Sequence, residues 1–383
     1  MSYNCDVLFI VIHIDVCDLF YFTIPCPICL PGKALLHCIF HDEIYLSLYQ
    51  IKRNAIIVFV KKHTILLHII ILVFFISGCG KEFSPYSESG FYFDTYVGFT
   101  LYGEDKKYLK DCLDICEKDE LLFSAHDEDS LLYTLNNGIS NDNPELVPVL
   151  KEALDYCDMT DGAADPSIGA VSLLWDFSDP DHPVMPSDSD ISAALKHVGA
   201  SKISISGNDI LITDPDAKID LGFIAKGYVS AEIKQHLIDI GVKSGIINLG
   251  GNIVVIGTRP DGRAYNVGIH NPFGPSPLLT FNITDSAIVT SGTYERYFIY
   301  DDKLYHHILD PHTGYPADNG TVSVTIVSSD PVKADALSTA CLVMGIEKGL
   351  EFIENTDDAE ALFIDSNSDI YTSSGFPDYE LNE

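Results

Sequence analysis

Between residues 244 and 329 the chain runs through short segments rich in β-branched and aromatic residues and cut by glycines: "SGIINLGGNIVVIG", "AYNVGIH", "LLTFNIT", "SAIVTSG" and "VSVTIVSS". Such segments read as strands. Helical patterns flank them. Upstream, "KKYLKDCLDICEKDELLF" is amphipathic, and "DNPELVPVLKEALDYCDMTDG" has Asn143 and Pro144 placed to start a helix whose Val147, Leu150 and Leu154 share a face. In "AKIDLGFIAKGYVSAEIKQHLIDIGV" a strand end and a turn lead into a helix. Its buried stripe is Ala225, Val229, Ile233, Leu237 and Ile240, and Gly241 is its stop. Downstream, "DPVKADALSTACLVMG" places Asp330 as N-cap and Pro331 in the first turn. "FYFDTYVGFTLYG", at residues 91–103, reads as one further strand. Strand and helix mix without regular βαβ alternation, so the order of elements predicts an α+β fold.

The 383 residues, 46% of them hydrophobic, suffice for one large domain or two ordinary ones. Charge narrows the partners. The formal net charge is −33, from 23 Lys and Arg against 56 Asp and Glu, which argues against nucleic acid or an anionic membrane surface as the main partner. An acidic protein that handles phosphates needs help from a cation. Residues 1–78 hold five basic and five acidic residues, so the whole excess belongs to the chain from Gly80 on.

The stretch "KKHTILLHIIILVFFISGCG" has Lys61 and Lys62, an apolar run over residues 65–76 broken by His68, and then Ser77 and Gly78 before Cys79. A basic region, a short apolar region and small residues before a cysteine make a secretory signal rather than a stable membrane span. The cysteine resembles the lipobox of bacterial lipoproteins, in which the thiol is diacylated and becomes the new N-terminus. The expectation is a signal peptide at 60–78, lipidation at Cys79, and two acyl chains holding the protein on the extracytoplasmic side of a bacterial cell membrane. Residues 1–59 carry five of the ten cysteines, including Cys26 and Cys29 in CxxC spacing. They read as a translated upstream region, because no methionine lies between Met1 and Met159 while Val60 stands directly before the lysine pair. A genuine extra hydrophobic segment is the alternative. Residues 79–91 read as a polar tether and 92–383 as the exported domain.

Four segments carry groups able to do chemistry. "HHILDPHTGYP", at 306–316, joins two histidines to a turn built from Asp310, Pro311 and Gly314. Imidazoles there fit a general base, a ligand, or solvated loop residues equally well. Asp335, Ser338 and Thr339 are spaced i, i+3 and i+4, so their oxygens share a helix face suited to a hard cation such as Mg2+, or simply to packing. "DLGFIAKG", at 220–227, sets Asp220 before a helix start and Lys226 in its first turn, an arrangement open both to anion binding and to ordinary capping. The paired glycines of "NLGGN", at 248–252, mark a turn or a close approach, but no GxGxxG dinucleotide fingerprint follows a strand.

Taken in order, nine segments resemble the ApbE family of FAD:protein FMN transferases from about residue 93 to 352. They are "FDT", "SAHDEDSLLYTLN", "GAADPSIG", "LWDF", "DLGFIAKG", "NLGGN", "TSGTYERYF", "HHILDPHTGYP" and "ADALSTA". The resemblance implies a single compact domain of that type after the lipoprotein signal. It also implies Mg2+ held by Asp335, Ser338, Thr339 and the Phe223 carbonyl. The FAD contacts implied are Phe93, His126, Ala163, Ala164, Asp165, Asp220, Lys226 and Leu309. The family often has methionine and tyrosine where this chain has Phe93 and His126. The implied reaction moves FMN from FAD to a threonine or serine of an acceptor protein, a subunit of a membrane redox pump or an extracellular electron-transfer protein, and releases AMP. His307 is the expected base and His306 its rival. A Mg2+-dependent FAD pyrophosphatase and a non-catalytic flavin-binding lipoprotein are the alternatives.

Overall fold

The structure, a computed structural model, describes residues 84–382 apart from 104, 105, 178, 180 and 181, together with residues 50, 62 and 64. The chain divides into two units, Met1–Lys81 and Glu82–Glu383, and the second contains all the described strands. The expected signal peptide and Cys79 lie outside the described residues, apart from residues 62 and 64, as do residues 1–59 apart from residue 50. Among the described residues no helix is long and apolar enough to cross a membrane.

Eight strands make the central sheet: β1 (Pro85–Tyr92), β2 (Thr95–Tyr102), β5 (Ser244–Leu249), β6 (Asn252–Gly257), β9 (Ala287–Gly292), β12 (Thr321–Ser328), β13 (Glu360–Asp365) and β14 (Ile370–Thr372). They lie side by side in that order, and each neighbouring pair is antiparallel. The connection at Gly250 and Gly251 shows why: two residues turn a chain back but leave no room for a parallel crossover. Three smaller pairings complete the β-structure. They are β3 with β4 (Ile203–Ser206, Asp209–Ile212), β10 with β11 (Tyr297–Tyr300, Lys303–His306), and a three-stranded sheet of β7 (Tyr265–Ile269), β8 (Leu279–Ile283) and β15 (Tyr379–Leu381).

Side-chain alternation along the central strands builds two cores. Val254, Val289, Val324, Ile326 and Phe363 face the helices. Their neighbours Val255, Ile288, Leu362 and Ile364 face the other way, onto Tyr265, Leu279 and Phe281 of the three-stranded sheet. Both faces are covered, so these strands read as continuous apolar runs. The helices are α1 (Lys107–Phe123), α2 (Leu131–Asn136), α3 (Leu146–Met159), α4 (Gly169–Ser172), α5 (Asp188–Ala194), α6 (Ala225–Asp239), α7 (Pro331–Met344) and α8 (Ile346–Glu354). Of the expected α6 stripe, Ala225, Val229, Ile233 and Leu237 are buried, while Ile240 follows the helix end and is half-buried. Asp330 caps α7, its carboxylate accepting from the Val332 amide at 2.9 Å. The α+β expectation holds.

Two expectations are corrected. Residues 91–103 are a hairpin, not one strand: Phe93 and Asp94 turn the chain with φ of 55° and 56°. Such a turn normally announces itself with a glycine second residue, and here Asp94 stands there instead. The supposed tether also ends early, because residues 85–92 pair along their whole length with β2. β1 is an edge strand, and its exposed serines and half-exposed glutamate are what an edge requires.

α7 packs against α6 on one side and against β9 and β12 on the other, so Asp335 and Ser338 sit on a helix buried nearly all round. Its crossing with α6 depends on Gly227. A Cβ there would lie 2.6 Å from both the Asp335 Cβ and the Pro331 carbonyl oxygen.

Candidate active site

A cleft opens where the start of β6, the end of β9, the first turn of α6 and the buried face of α7 meet the loops at 163–168 and 307–311. It brings together Ala163, Ala164, Asp165, Asp220, Phe223, Lys226, His307, Leu309, Asp335 and Thr339. The histidine loop is held rigidly. Within it the Asp310 amide donates to the Tyr315 carbonyl and the Gly314 amide to the Asp310 carbonyl, each at 2.8 Å. Trp175, stacked among Phe177, Phe298 and Tyr305, donates its indole N–H to the Gly314 carbonyl at 3.1 Å.

The two histidines have different environments. His306 is buried, and both its nitrogens are engaged: Nε2 donates to the Ala317 carbonyl at 2.9 Å while Nδ1 accepts from the Ile308 amide at 3.3 Å. His307 lies in the cleft wall. Its Nδ1 stands 3.3 Å from the Arg296 carbonyl, and a carbonyl can only accept, so the proton belongs on Nδ1 and Nε2 keeps a free lone pair. Burial, reinforced by the charges of Arg296 and Lys226, drives this imidazole down to about 3.

On α7, the Asp335 carboxylate is buried and accepts from the Gly227 amide at 2.7 Å through Oδ2. Burial pushes its pKa up, against the opposing pull of Lys226. That same Gly227 amide is the helical partner the Phe223 carbonyl would otherwise have, so the carbonyl is left without it. Hydroxyl protons are also directed. Ser338 donates to the Asp335 carbonyl at 2.9 Å, which obliges Ser291 to donate to Ser338 at 2.8 Å and Thr339 to donate to Ser291 at 3.1 Å. Thr339 therefore keeps its oxygen lone pairs. A buried carboxylate, a hydroxyl oxygen and a freed carbonyl, with no sulfur or imidazole among them, form a donor set suited to Mg2+. Ser338 lies fully buried behind this face and does not line the cleft.

Several expected residues do other work. Asp220 closes its own turn: Oδ1 accepts from the Gly222 amide at 2.8 Å and Oδ2 from the Ser172 hydroxyl at 2.6 Å. Asp165 likewise accepts through Oδ1 from the Ser167 amide and hydroxyl. Phe93 and His126 are not among the cleft residues. Phe93 occupies the β1–β2 turn, with its amide donating to Glu120 at 2.8 Å and its ring against the main core, and His126 is on the loop after α1. Sequence reasoning missed Asn252, Ser291, Glu295 and Arg296, which do line the cleft. Asn252 is buried, and its Nδ2 makes no hydrogen bond of ordinary geometry, although its pull on Asp335 opposes the effect of burial there. The two charged residues stood in a glycine-turn segment, where charges ordinarily mean solvent. Lys226 and Arg296 have no ion pair among the described residues, and they face the cleft together with the carboxylates of Asp165, Asp220, Glu295 and Asp335.

Residues 93–363 match the ApbE family. The chain belongs to that family. All the cleft residues fall within the matched ApbE segment. Among its relatives are the FAD:protein FMN transferase of Treponema pallidum (strain Nichols), 32% identical over 291 residues covering 70% of this chain and 80% of the relative, and that of Klebsiella pneumoniae (strain 342), 31% identical over 300 residues covering 76% and 92%. Among solved structures, the ApbE protein of Thermotoga maritima superposes with a TM-score of 0.71 at 30% identity, over 76% of this chain and 97% of that one. The flavin transferase ApbE of Vibrio cholerae gives 0.67 at 27% identity, over 77% and 98%.

Proposed function

We propose that this chain is an FAD:protein FMN transferase, moving FMN from FAD to a threonine or serine hydroxyl of an acceptor protein. The observation that carries the reading is one cleft holding a neutral histidine with a free Nε2, two unpaired cations and a hard-oxygen donor set. The acceptor Oγ–H gives its proton to His307 Nε2, a new Oγ–P bond forms at the FMN phosphorus, and the P–O bond to AMP breaks, so AMP leaves with the electron pair. Such transfers rest on in-line placement and charge neutralisation more than on covalent help. Lys226 and Arg296 hold the pyrophosphate, and the Nδ1–H contact with the Arg296 carbonyl fixes the His307 tautomer. Asp335, Thr339 and the Phe223 carbonyl hold Mg2+, which when bound neutralises pyrophosphate charge. The acceptor is an FMN-binding domain of a membrane redox pump or an extracellular electron-transfer protein, met at the extracytoplasmic membrane surface to which diacylated Cys79 tethers the enzyme.

Purified protein incubated with FAD and Mg2+, with and without such a domain, tests this. Flavin fluorescence fixed to the acceptor, with AMP released, is expected. FMN and AMP formed equally well without acceptor would make the protein a pyrophosphatase, and FAD retained unchanged would make it a carrier. Asp335→Ala or excess chelator should lower transfer by roughly 10²-fold or more, since two neutral oxygens hold Mg2+ poorly. Full activity in either case refutes the metal assignment.

A further inference from the structure

Beside the catalytic cleft runs a second groove, lined along β7 and its end by the consecutive residues Val267, Gly268, Ile269 and His270. Val267 and Ile269 point to one face of the strand, Gly268 between them has no side chain and His270 follows the strand's end, so the main chain of β7 forms part of the lining. One edge of the strand is free: β7 pairs with β8 on one side, and no strand pairs with its other side among the described residues. Ile253, Ile288 and Tyr294 also line it; Tyr294 is folded back over Gly292, where a Cβ would stand 2.5 Å from its ring, and is packed on the His270 ring at 5.0 Å. The groove and the cleft share two residues, Thr290 and Glu295. Glu295 is followed by Arg296, whose carbonyl faces His307 Nδ1. Glu295 is also the groove's only carboxylate among the described residues, in a protein of net charge −33.

We propose that this groove receives an extended, uncharged segment of the acceptor protein, laid as an added strand on the free edge of β7 so that its threonine or serine passes Glu295 and reaches His307. The proposal rests on the transferase reading above and names where its second substrate docks. An exposed strand edge offers a row of unpaired amides and carbonyls, and extended segments bind such edges through main-chain hydrogen bonds. Continuity with the cleft selects the occupant, because a chain on this edge is led to the one histidine of the cleft, whose Nε2 lone pair is free.

The test uses the full chain with FAD, Mg2+ and an FMN-binding acceptor domain, in wild type and in the variants His270→Ala and Val267→Arg. Both positions lie outside the cleft, so FAD affinity should stay within about twofold and reports that the variants fold, while KM for the acceptor rises roughly tenfold or more. Synthetic peptides spanning the acceptor hydroxyl provide a second readout. N-methylation at alternate amides should abolish competition in one phase of alternation and spare it in the other, as strand pairing requires. Equal acceptor KM and direct acceptor binding in wild type and both variants, or indifference to the phase of methylation, overturns the groove assignment while leaving the transferase reading intact. A wild-type protein that splits FAD yet neither binds nor modifies the acceptor overturns both.

Discussion

His307 is the residue on which the chemistry turns, and its neighbour supplies the control. His307→Asn keeps a hydrogen-bonding side chain, so FAD affinity should persist while transfer falls roughly 10²–10⁴-fold, the usual contribution of a general base. His306→Asn breaks two internal hydrogen bonds instead. It should lower stability by about 1–3 kcal/mol and leave transfer by the folded fraction nearly unchanged. Titration and calorimetry on both variants separate the two roles, and a larger loss of transfer at His306 would reverse the assignment. Acid dependence gives an independent check. Because burial and two cations hold His307 near 3 rather than 6.5, the free enzyme keeps the base form as pH falls through the ordinary histidine range. The profile of kcat/KM, which reports the free enzyme, should therefore show no acid limb near 6.5. Bound FAD offsets Arg296 and Lys226, so kcat, which reports the complex, should lose activity at higher pH than kcat/KM does. A limb near 6.5 in kcat/KM that vanishes in His307→Asn would mean the free imidazole is not depressed.

At the scale of elements, the α6–α7 crossing ties packing to the metal ligands. Gly227→Ala pushes a methyl against Asp335 and the Pro331 carbonyl, which should cost about 1–3 kcal/mol and displace the carboxylate. Melting temperature should drop by several degrees and the Mg2+ requirement of transfer should rise. An unchanged melting curve with normal Mg2+ dependence would show that the crossing is slack. These two helices were also the most legible part of the sequence. The α6 stripe and the Asp330 cap follow from local rules, and the polar trio on α7 could be found from spacing. What spacing could not say was that Ser338 turns inward to a carbonyl while Thr339 and Asp335 face the cleft, since burial on α7 depends on β9 and β12. The β1–β2 turn was hidden because Phe93 holds a positive φ with no glycine beside it, and Asp94 alone is a weak turn signal. Glu295 and Arg296 were illegible for a different reason: only the β10–β11 hairpin, which starts just after Arg296 and ends just before His307, brings that turn against the histidine loop.

The whole molecule is strongly acidic, and its cleft is lined by four carboxylates, Asp165, Asp220, Glu295 and Asp335, against the two cations Lys226 and Arg296, so anionic FAD meets a repulsive long-range field and must be held by those cations at short range. Screening acts on the long-range repulsion more than on contacts inside the cleft, so added salt should weaken FAD binding little, and a steep loss of affinity with salt would refute this. Anchoring belongs to this scale too. Cys79→Ser, expressed in a bacterial host, should move the protein from the membrane to the soluble fraction after export, and retention in the membrane would identify the apolar stretch as an anchor instead. The contact between Asp335 and the Gly227 amide spans 108 residues. A chain stopped before α7 has no carboxylate to place against α6: it would hold the histidine loop, Lys226 and Arg296 but lack Asp335 and Thr339, so the proposed donor set needs two segments that meet only across the α6–α7 crossing.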